Sequence, residues 1–598
     1  MSFQKHASAV FHSMSQMLEL TGGDKFRVNA HAKASRVIKD LTTDIEPMAK
    51  AGDLKGLVAI EGIGKGTAGK LVELANDGVI AEYQELSEKV PTGVMEVLGI
   101  QGLGPKTVKL MWDEKGVESI ADLKRIIADG TILELPRMGA KTVENINASI
   151  AFLESSGGRL QIGIAQRVAD RFVELMGALK GTQQVAYAGS LRRGKESIGD
   201  VDILIATNDP EEAREAFTTS EGVMQVLAKG DTKSSIRTAI GGSSSRWGAD
   251  ENAAVQVDLR VVDASCWGAA LMYFTGSKEH NVRLRERAIK MGMTLNEYGL
   301  FEDDGKDERP PQSRGVEPVA CETEEGIYAA LDLPFIPPTM REDRGELSLS
   351  EPRAVVQLVD IKAELHSHTT ASDGKMSIEE SAQIAKDRGF HTLAITDHSQ
   401  SSAVAGGLKP DRLLEHIKEI RAANDRIDGI TLLAGSEVDI LVDGSLDYDD
   451  DLLHELSVVV ASPHAGLRAK PKQATKRLLK AIAHPMVHII GHPTGRLIER
   501  REGLEPDMNE LIAAAVEHNV ALEINSHWMR LDLRDTHVRA AVEAGALISI
   551  NCDDHHPSDY DNLIFGVQTA QRGWLTPEQC INTWDADRLH GWLEEKRS

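Results

Sequence analysis

Two sets of acidic and imidazole side chains carry most of the chemistry this sequence can do. In the first, Gly189-Ser190-Leu191-Arg192-Arg193-Gly194 precedes Gly199-Asp200-Val201-Asp202-Ile203-Leu204-Ile205. Residues i and i+2 of a strand share a face, so Asp200 and Asp202 project together from an otherwise apolar strand. A second apolar strand, Val255-Gln256-Val257-Asp258-Leu259-Arg260, offers a third carboxylate. Three carboxylates on adjacent strands can hold two Mg²⁺ or Mn²⁺ ions about 4 Å apart, the arrangement used for in-line phosphoryl transfer. Glycine and Ser190 allow backbone and hydroxyl contacts to phosphate, and Arg193 adds a charge-assisted one. A lone Asp-x-Asp is common at sheet edges; the Gly-Ser and Arg-Arg-Gly prefix makes this one specific.

The second set lies in the last 240 or so residues, where 16 of the 20 histidines fall. It comprises His366, His368, Asp373, His398, Glu437, His464, His492, Asp553 and His555. Most of these follow directly on a short apolar run, at the C-terminal end of an expected strand, where βα barrels gather their active sites. Nitrogen and oxygen ligands without sulfur suit manganese, zinc or iron. Such a cluster can activate water and neutralise a phosphate oxyanion. His391, His454, His484 and His488 read instead as structural or surface residues.

A third pattern repeats. Gly62-Ile63-Gly64-Lys65-Gly66-Thr67, Gly102-Leu103-Gly104-Pro105-Lys106-Thr107 and Arg137-Met138-Gly139-Ala140-Lys141-Thr142 share an apolar residue, a glycine and a Lys or Thr between helical stretches. A glycine turn before a helix exposes backbone N–H groups that bind phosphate, and such hairpins grip the DNA backbone without reading sequence. Gly64-x4-Gly69-Lys70 has the outline of a P-loop, but Leu71 stands where Ser or Thr would hold magnesium. The repeat explains these glycines better.

These residues need several domains to position them, as 598 residues imply. Residues 5–90 read as short helices, with Val10, Phe11, Met14, Met17 and Leu18 at helical spacing. Strands and helices with a Gly/Ser-rich loop, Gly241–Ser245, follow from about 160 to 330. Leu333–Thr339 and the charged stretch Arg341–Glu346 read as a linker. From about 361, βα alternation predicts a parallel sheet or barrel. The net charge of −25 has the wrong sign for a general nucleic-acid binder, yet residues 1–90 hold 11 basic and 12 acidic side chains and are nearly neutral. No run of 18 apolar residues and no secretory leader is apparent, and four scattered cysteines make no disulfide framework. A reducing cytoplasm is expected.

The segment GSLRRGKESIGDVDILI resembles the palm motif of family X DNA polymerases, and Tyr273-Phe274-Thr275-Gly276-Ser277 is similar to that family's motif beside the incoming sugar. The resemblance implies that Asp200 and Asp202 bind both metals, with Asp258 on the catalytic metal. It implies that Ser190, Arg193 and Gly199 hold the triphosphate, that Tyr273, Phe274 and Gly276 flank the nucleotide, and that Asn281 and Arg285 contact base and template. Gln256 stands where some members carry Arg. Phe26-Arg27-Val28-Asn29-Ala30 and the first hairpin resemble the family's lyase domain, whose Schiff-base lysine aligns with Lys70; His31 takes the place of a family tyrosine. A lysine attacks an abasic sugar as the free amine only if burial or nearby cations depress its pKa, and Lys65 is a candidate neighbour. Gly62, Gly64, Lys65, Gly102, Gly104 and Lys106 become expected DNA contacts. The histidine set is similar to the PHP (polymerase and histidinol phosphatase) family, a distorted (β/α)7 barrel with three metal ions; Asp373 fills a position where phosphatase relatives often carry His.

The whole chain thus resembles bacterial family X DNA polymerases with a C-terminal PHP domain. The expected fold is multidomain α/β: a lyase-like helical domain at 1–90, a second helix-hairpin-helix domain at 91–155, a nucleotidyltransferase palm at 156–265, a thumb at 266–335, a linker at 336–360 and the PHP barrel at 361–598. The implied function is short-gap filling in base excision repair, with 3′–5′ exonuclease and possible abasic-site endonuclease and lyase activities. Implied partners are dNTPs and gapped or primed DNA with a 5′-phosphate, for a monomer in the cytoplasm at the nucleoid, with no membrane. Two other readings stay open: a small-molecule phosphoesterase tethered to DNA, and a non-enzymatic DNA-end scaffold.

Overall fold

The structure, a computed structural model, describes residues 3–100, 103–156, 159–240, 254–303 and 309–596. Gly102 and the loop Gly241–Ser245 lie outside the described residues. The chain divides into two units, one covering Met1–Arg159 and the other running from Leu160 to Ser598, the segment Gly242–Ala254 apart.

The first unit is helical. The opening helix, Phe3–Leu20, buries Val10, Phe11, Met14, Met17 and Leu18, the residues whose spacing predicted it. Asp24 caps the next helix, Lys25–Asp40, by accepting from the Phe26 N–H. The three repeats fold alike. Ile63, Leu103 and Met138 are each buried, and their N–H groups donate to Ile60, Ile100 and Leu135 at 3.0, 3.0 and 3.1 Å. Four residues into each following helix, Ala68, Val108 and Val143 donate to Gly64, Gly104 and Gly139. Gly62 has φ +92°, and a Cβ there would lie 2.6 Å from Val37 Cγ2, so the turn needs glycine. Arg137 takes the same left-handed region in the third copy, at φ 67°.

In the second unit the palm is a five-stranded sheet, ordered Thr182–Tyr187, Val201–Thr207, Ala254–Val262, Lys233–Ala239 and Val223–Lys229. Val201–Thr207 and Ala254–Val262 run parallel and are largely buried, Asp258 included. The helix Ile162–Gly177 covers the sheet through Ala165, Val168, Ala169, Phe172 and Met176. Helices Trp267–Thr275, Lys278–Lys290 and Glu324–Ala330 follow.

The C-terminal part is seven parallel strands in sequential order: Ala363–Ser367, Thr392–Ile395, Thr431–Asp439, Val458–Ser462, Ile489–Ile490, Ala521–Asn525 and Ile548–Asn551. All seven are almost wholly buried, as strands covered on both faces must be. Last and first strands meet where the His368 N–H donates to the Asp554 carbonyl at 3.0 Å and Leu365 N–H to Asn551 Oδ1 at 3.3 Å. The barrel is nearly closed.

The stretch expected as a linker is packed structure. Ile336, Arg341 and Glu346 are fully buried. Arg341 donates to Glu324 at 2.6 Å and to the Ile336 carbonyl at 2.9 Å, and Glu346 accepts from His280 at 2.7 Å. Charge and proline suggest a tether because they are usual in solvent; here each buried charge finds a partner on the thumb.

Candidate active sites

The palm carboxylates converge through register. Asp202 pairs directly with Asp258 across the two parallel strands, and Asp200 precedes the first of them. The Ala188 N–H donates to the Asp202 carbonyl at 2.8 Å, which brings the Gly189–Arg192 turn against the carboxylates. Gly189 has φ +62°, and a Cβ there would lie 2.2 Å from Asp202 Oδ2; the approach demands glycine. Burial, then the charges of Asp200 and Asp258, push the Asp202 carboxyl up to about 7. Like charges so held fit a cation, and cations bound there would neutralise them. Two further residues reach this site or its rim, of which Lys233 was not singled out from the sequence. Lys233 Nζ lies 2.6 Å from Asp258 Oδ2, on a strand that only the sheet order makes a neighbour. Gln256 donates to the other oxygen at 3.0 Å, from the position where relatives carry Arg.

The expected nucleotide contacts gather around the same turn. Ser190, within that turn, and Gly199, just before Asp200, are half-buried. Arg193 is largely buried, donating from Nη1 to the Thr275 carbonyl at 2.6 Å and from Nε to Glu342 at 3.0 Å. Gly276 ends the helix with φ +72°, and a Cβ there would lie 3.2 Å from Arg193 Nη1. Tyr273 and Phe274 are half-buried, with ring centroids 5.2 Å apart. Asn281 donates to the Tyr273 carbonyl at 2.7 Å, while Arg285 is exposed on the same helix.

In the helical unit Gly64, Lys65, Gly104 and Lys106 are exposed at helix starts, as backbone-gripping hairpins require. Lys70 departs from expectation. Its ammonium lies 3.1 Å from Glu82, which also binds Arg27 and His31. Burial opposes ionisation of Glu82, but Lys70 and Arg27 outweigh it and hold the carboxyl below its ordinary range. The neighbour in contact is thus a carboxylate rather than Lys65. Buried His31 lies 5.6 Å from the Phe11 ring, and burial lowers its pKa.

The barrel brings the nine predicted residues of the second set to its strand C-terminal ends. Three groups have one ligand atom per residue within 4.8 Å of the others: His368, Asp373, His398 and His555; His366, His368, Glu437 and Asp553; and His398, Glu437 and His464. His492 Nε2 adds a contact of 2.9 Å to Glu437 Oε1. Glu437 is the hub, facing His366, His368, His398 and His464 at 3.4, 3.6, 2.8 and 3.2 Å. His366 Nε2, His368 Nε2, His492 Nε2, both Glu437 oxygens and Asp553 Oδ1 are buried without a hydrogen-bond partner. Orphaned nitrogens and carboxylate oxygens converging in this way fit divalent ions. His492 and Asp553 adopt positive φ, 26° and 52°, the kind of backbone strain that collects at functional sites.

Supporting carboxylates orient the imidazoles. Glu523 accepts from His366 Nδ1 and from the His492 N–H, both at 2.7 Å. Asp439 accepts from His464 Nδ1 at 2.5 Å, and Asn525 donates to Asp553 at 2.8 Å. Asp397 accepts from His416 at 2.8 Å and ties down Thr369 and Ser372, beside Asp373. The sequence held a signal for Glu523, a lone carboxylate inside the apolar run Val520–Ile524. Asp439 sits two residues from Glu437 and was open to the same reasoning.

Comparison with known proteins accords with this geometry. Residues 4–80 match a helix-hairpin-helix domain, 94–150 a SAM-like helix-hairpin-helix tandem, 165–249 the DNA polymerase beta palm, 270–342 the DNA polymerase beta thumb and 364–527 the PHP domain. The chain is 35% identical to the DNA polymerase/3′-5′ exonuclease PolX of Bacillus subtilis (strain 168), covering 99% of both chains. Its polymerase part is similar to DNA polymerase lambda of Rattus norvegicus, 26% identical over 54% of this chain and 53% of that one. The barrel part is similar to "Probable phosphatase Teth514_1060" of Thermoanaerobacter sp. (strain X514), 26% identical over 39% of this chain and 94% of that one.

Proposed function

The chain belongs to the family of the DNA polymerase/3′-5′ exonuclease PolX, and we propose that its palm adds nucleotides at a primer end which its barrel can shorten. The chain acts on DNA with dNTPs as co-substrates and uses divalent metal. The observation that carries the reading is the coexistence, in one chain, of the paired Asp202 and Asp258 and the ligand cluster around Glu437.

In the palm, Asp200, Asp202 and Asp258 hold two Mg²⁺ or Mn²⁺ ions. Ser190, Arg193 and Gly199 bind the triphosphate, Tyr273, Phe274 and Gly276 flank the sugar, and Asn281 and Arg285 face base and template. The primer 3′-oxygen bonds to the α-phosphorus as the bond to pyrophosphate breaks. In the barrel, His366, His368, Asp373, His398, Glu437, His464, His492, Asp553 and His555 hold three ions, of Mn²⁺, Zn²⁺ or Fe²⁺. There water attacks the terminal phosphodiester, releasing a nucleoside monophosphate and a new 3′-hydroxyl. Bound ions at both sites supply hydroxyl activation and charge neutralisation. Gly62, Gly64, Lys65, Gly104 and Lys106 grip the backbone of a gap bearing a 5′-phosphate, and Lys70 serves a lyase step. We place the protein as a monomer in the cytoplasm, at the nucleoid, filling short gaps in base excision repair, with abasic-site cleavage as a further barrel activity. No described helix is long and apolar enough to cross a membrane.

The test is a labelled primer on a one-nucleotide gap with a 5′-phosphate, with Mn²⁺, with and without dNTPs. Asp258→Ala should lose extension alone and His366→Ala should lose shortening alone. Shortening that survives His366→Ala would assign the barrel to another substrate and favour the phosphoesterase reading, which the barrel's likeness to a protein named as a phosphatase supports.

A further inference from the structure

The palm's phosphate-binding turn rests on the barrel. Gly194, at φ +65°, packs so closely on the barrel helix Leu563–Arg572 that a Cβ would lie 2.9 Å from Gln568 Cβ. At the end of that helix Arg572, 4% exposed, points into the palm. Its Nη1 donates to the Arg193 carbonyl at 2.8 Å and to Glu342 Oε1 at 2.9 Å. Its Nε and Nη2 donate to Asp535 at 3.0 and 2.7 Å, so the plane of the guanidinium is set by the barrel. The same Glu342 oxygen accepts from Arg193 Nε at 3.0 Å, and Lys195 stands 3.6 Å from the other oxygen.

Glu342 therefore joins two guanidiniums, one from each domain. The Arg193 side chain has five N–H groups; Glu342 engages the one on Nε and the Thr275 carbonyl one of those on Nη1. The remaining donors are left for a ligand, in an orientation those two bonds impose. Although burial opposes it, the charges of Arg572, Lys195 and Arg193 keep the Glu342 carboxyl well below its ordinary range, so it remains an acceptor at any physiological pH.

We infer that Arg572 is a positioning residue for nucleotide binding: from the barrel it holds Glu342 and the Arg193 backbone, and so aims the Arg193 guanidinium at the incoming triphosphate. The inference rests on the reading of Arg193 as a triphosphate contact. Without Arg572, Glu342 is left to Arg193 and Lys195, and the turn loses its hydrogen bond to the barrel.

The experiment is steady-state single-nucleotide gap filling by the full-length chain, with primer shortening followed in parallel without dNTPs. Arg193→Ala, Arg572→Ala, Arg572→Lys, Glu342→Gln and the Arg193→Ala/Arg572→Ala pair are compared. A misaimed binding group costs up to about 100-fold; Arg572→Ala should raise the dNTP KM about tenfold, with kcat within about twofold and primer shortening retained. Arg572→Lys, which keeps the charge without the fork, should fall between. The double variant should be no worse than Arg193→Ala, because the effect passes through Arg193. An unchanged KM in Arg572→Ala, or a full additive penalty in the double variant, overturns the inference. If Arg193→Ala alone leaves KM unchanged, the reading of Arg193 falls first. Should Arg572→Ala not fold, Glu342→Gln decides the matter by the same rise in KM or its absence.

Discussion

Replacing Glu523 with glutamine tests whether the barrel's metal ligands depend on the carboxylate beneath them. Glu523 is fully buried and receives three donors: His366 Nδ1 and the Asn551 amide on one oxygen, at 2.7 and 2.9 Å, and the His492 N–H on the other, at 2.7 Å. Glutamine has the same shape but one acceptor. If its oxygen faces His366 and Asn551, its NH2 meets the His492 N–H; turned over, it meets the other two donors. Either way a buried donor loses its acceptor, at about 1–3 kcal/mol. Because the carboxylate fixes the tautomer and direction of the His366 imidazole and holds the backbone that carries His492, that loss falls on metal affinity, in the range of about 10- to 100-fold typical for such partners. The assay is equilibrium titration with Mn²⁺ of chelator-stripped protein, with bound metal also counted by mass spectrometry after dialysis. Extension in the palm, whose carboxylates lie elsewhere, serves as the control. Mn²⁺ affinity and content equal to those of the unmodified chain would refute the argument.

Two more expectations follow from buried ion pairs. Glu324 accepts from Arg192 at 2.9 and 2.7 Å and from fully buried Arg341 at 2.6 Å. Burial alone would raise its carboxyl, but the two arginines outweigh that and hold it at about 2. A carboxyl depressed in the folded state adds stability above its unfolded pKa, here the ordinary 4.5, and the gain is lost as pH falls toward 2. Glu324→Gln should therefore destabilise by roughly 3 kcal/mol at pH 7, and its deficit in melting temperature should shrink below pH 4.5; a deficit independent of pH would contradict this. For Lys70, borohydride trapping on a 5′-abasic end should yield a covalent complex that Lys70→Ala loses and that Glu82→Gln, which removes the ion pair holding the Lys70 side chain at 3.1 Å, accelerates. A complex that persists in Lys70→Ala would remove that lysine from the chemistry.

The local patterns were open to sequence reasoning wherever the physics is local. The helical spacing of Val10, Phe11, Met14, Met17 and Leu18, the glycines of the hairpins and the alternation that puts Asp200 and Asp202 on one face depend on residues a few positions apart. So does the habit of barrel ligands following apolar runs, from which Glu437 and the eight residues around it are read together. What surrounds them was not legible, because it is set by strand order and domain packing. Lys233 meets Asp258 only because the strand Lys233–Ala239 lies beside Ala254–Val262 in the palm sheet. Glu82 reaches Lys70 from another helix, and Arg341 looked like solvent-exposed linker because its partner, Glu324, is 17 residues away and buried. Arg572 and Arg193 are 379 residues apart and meet through Glu342. Residue types and spacing determined which chemistry this chain can carry; the tertiary structure decided which charges neutralise one another, since buried charge is tolerated only where the fold supplies its partner.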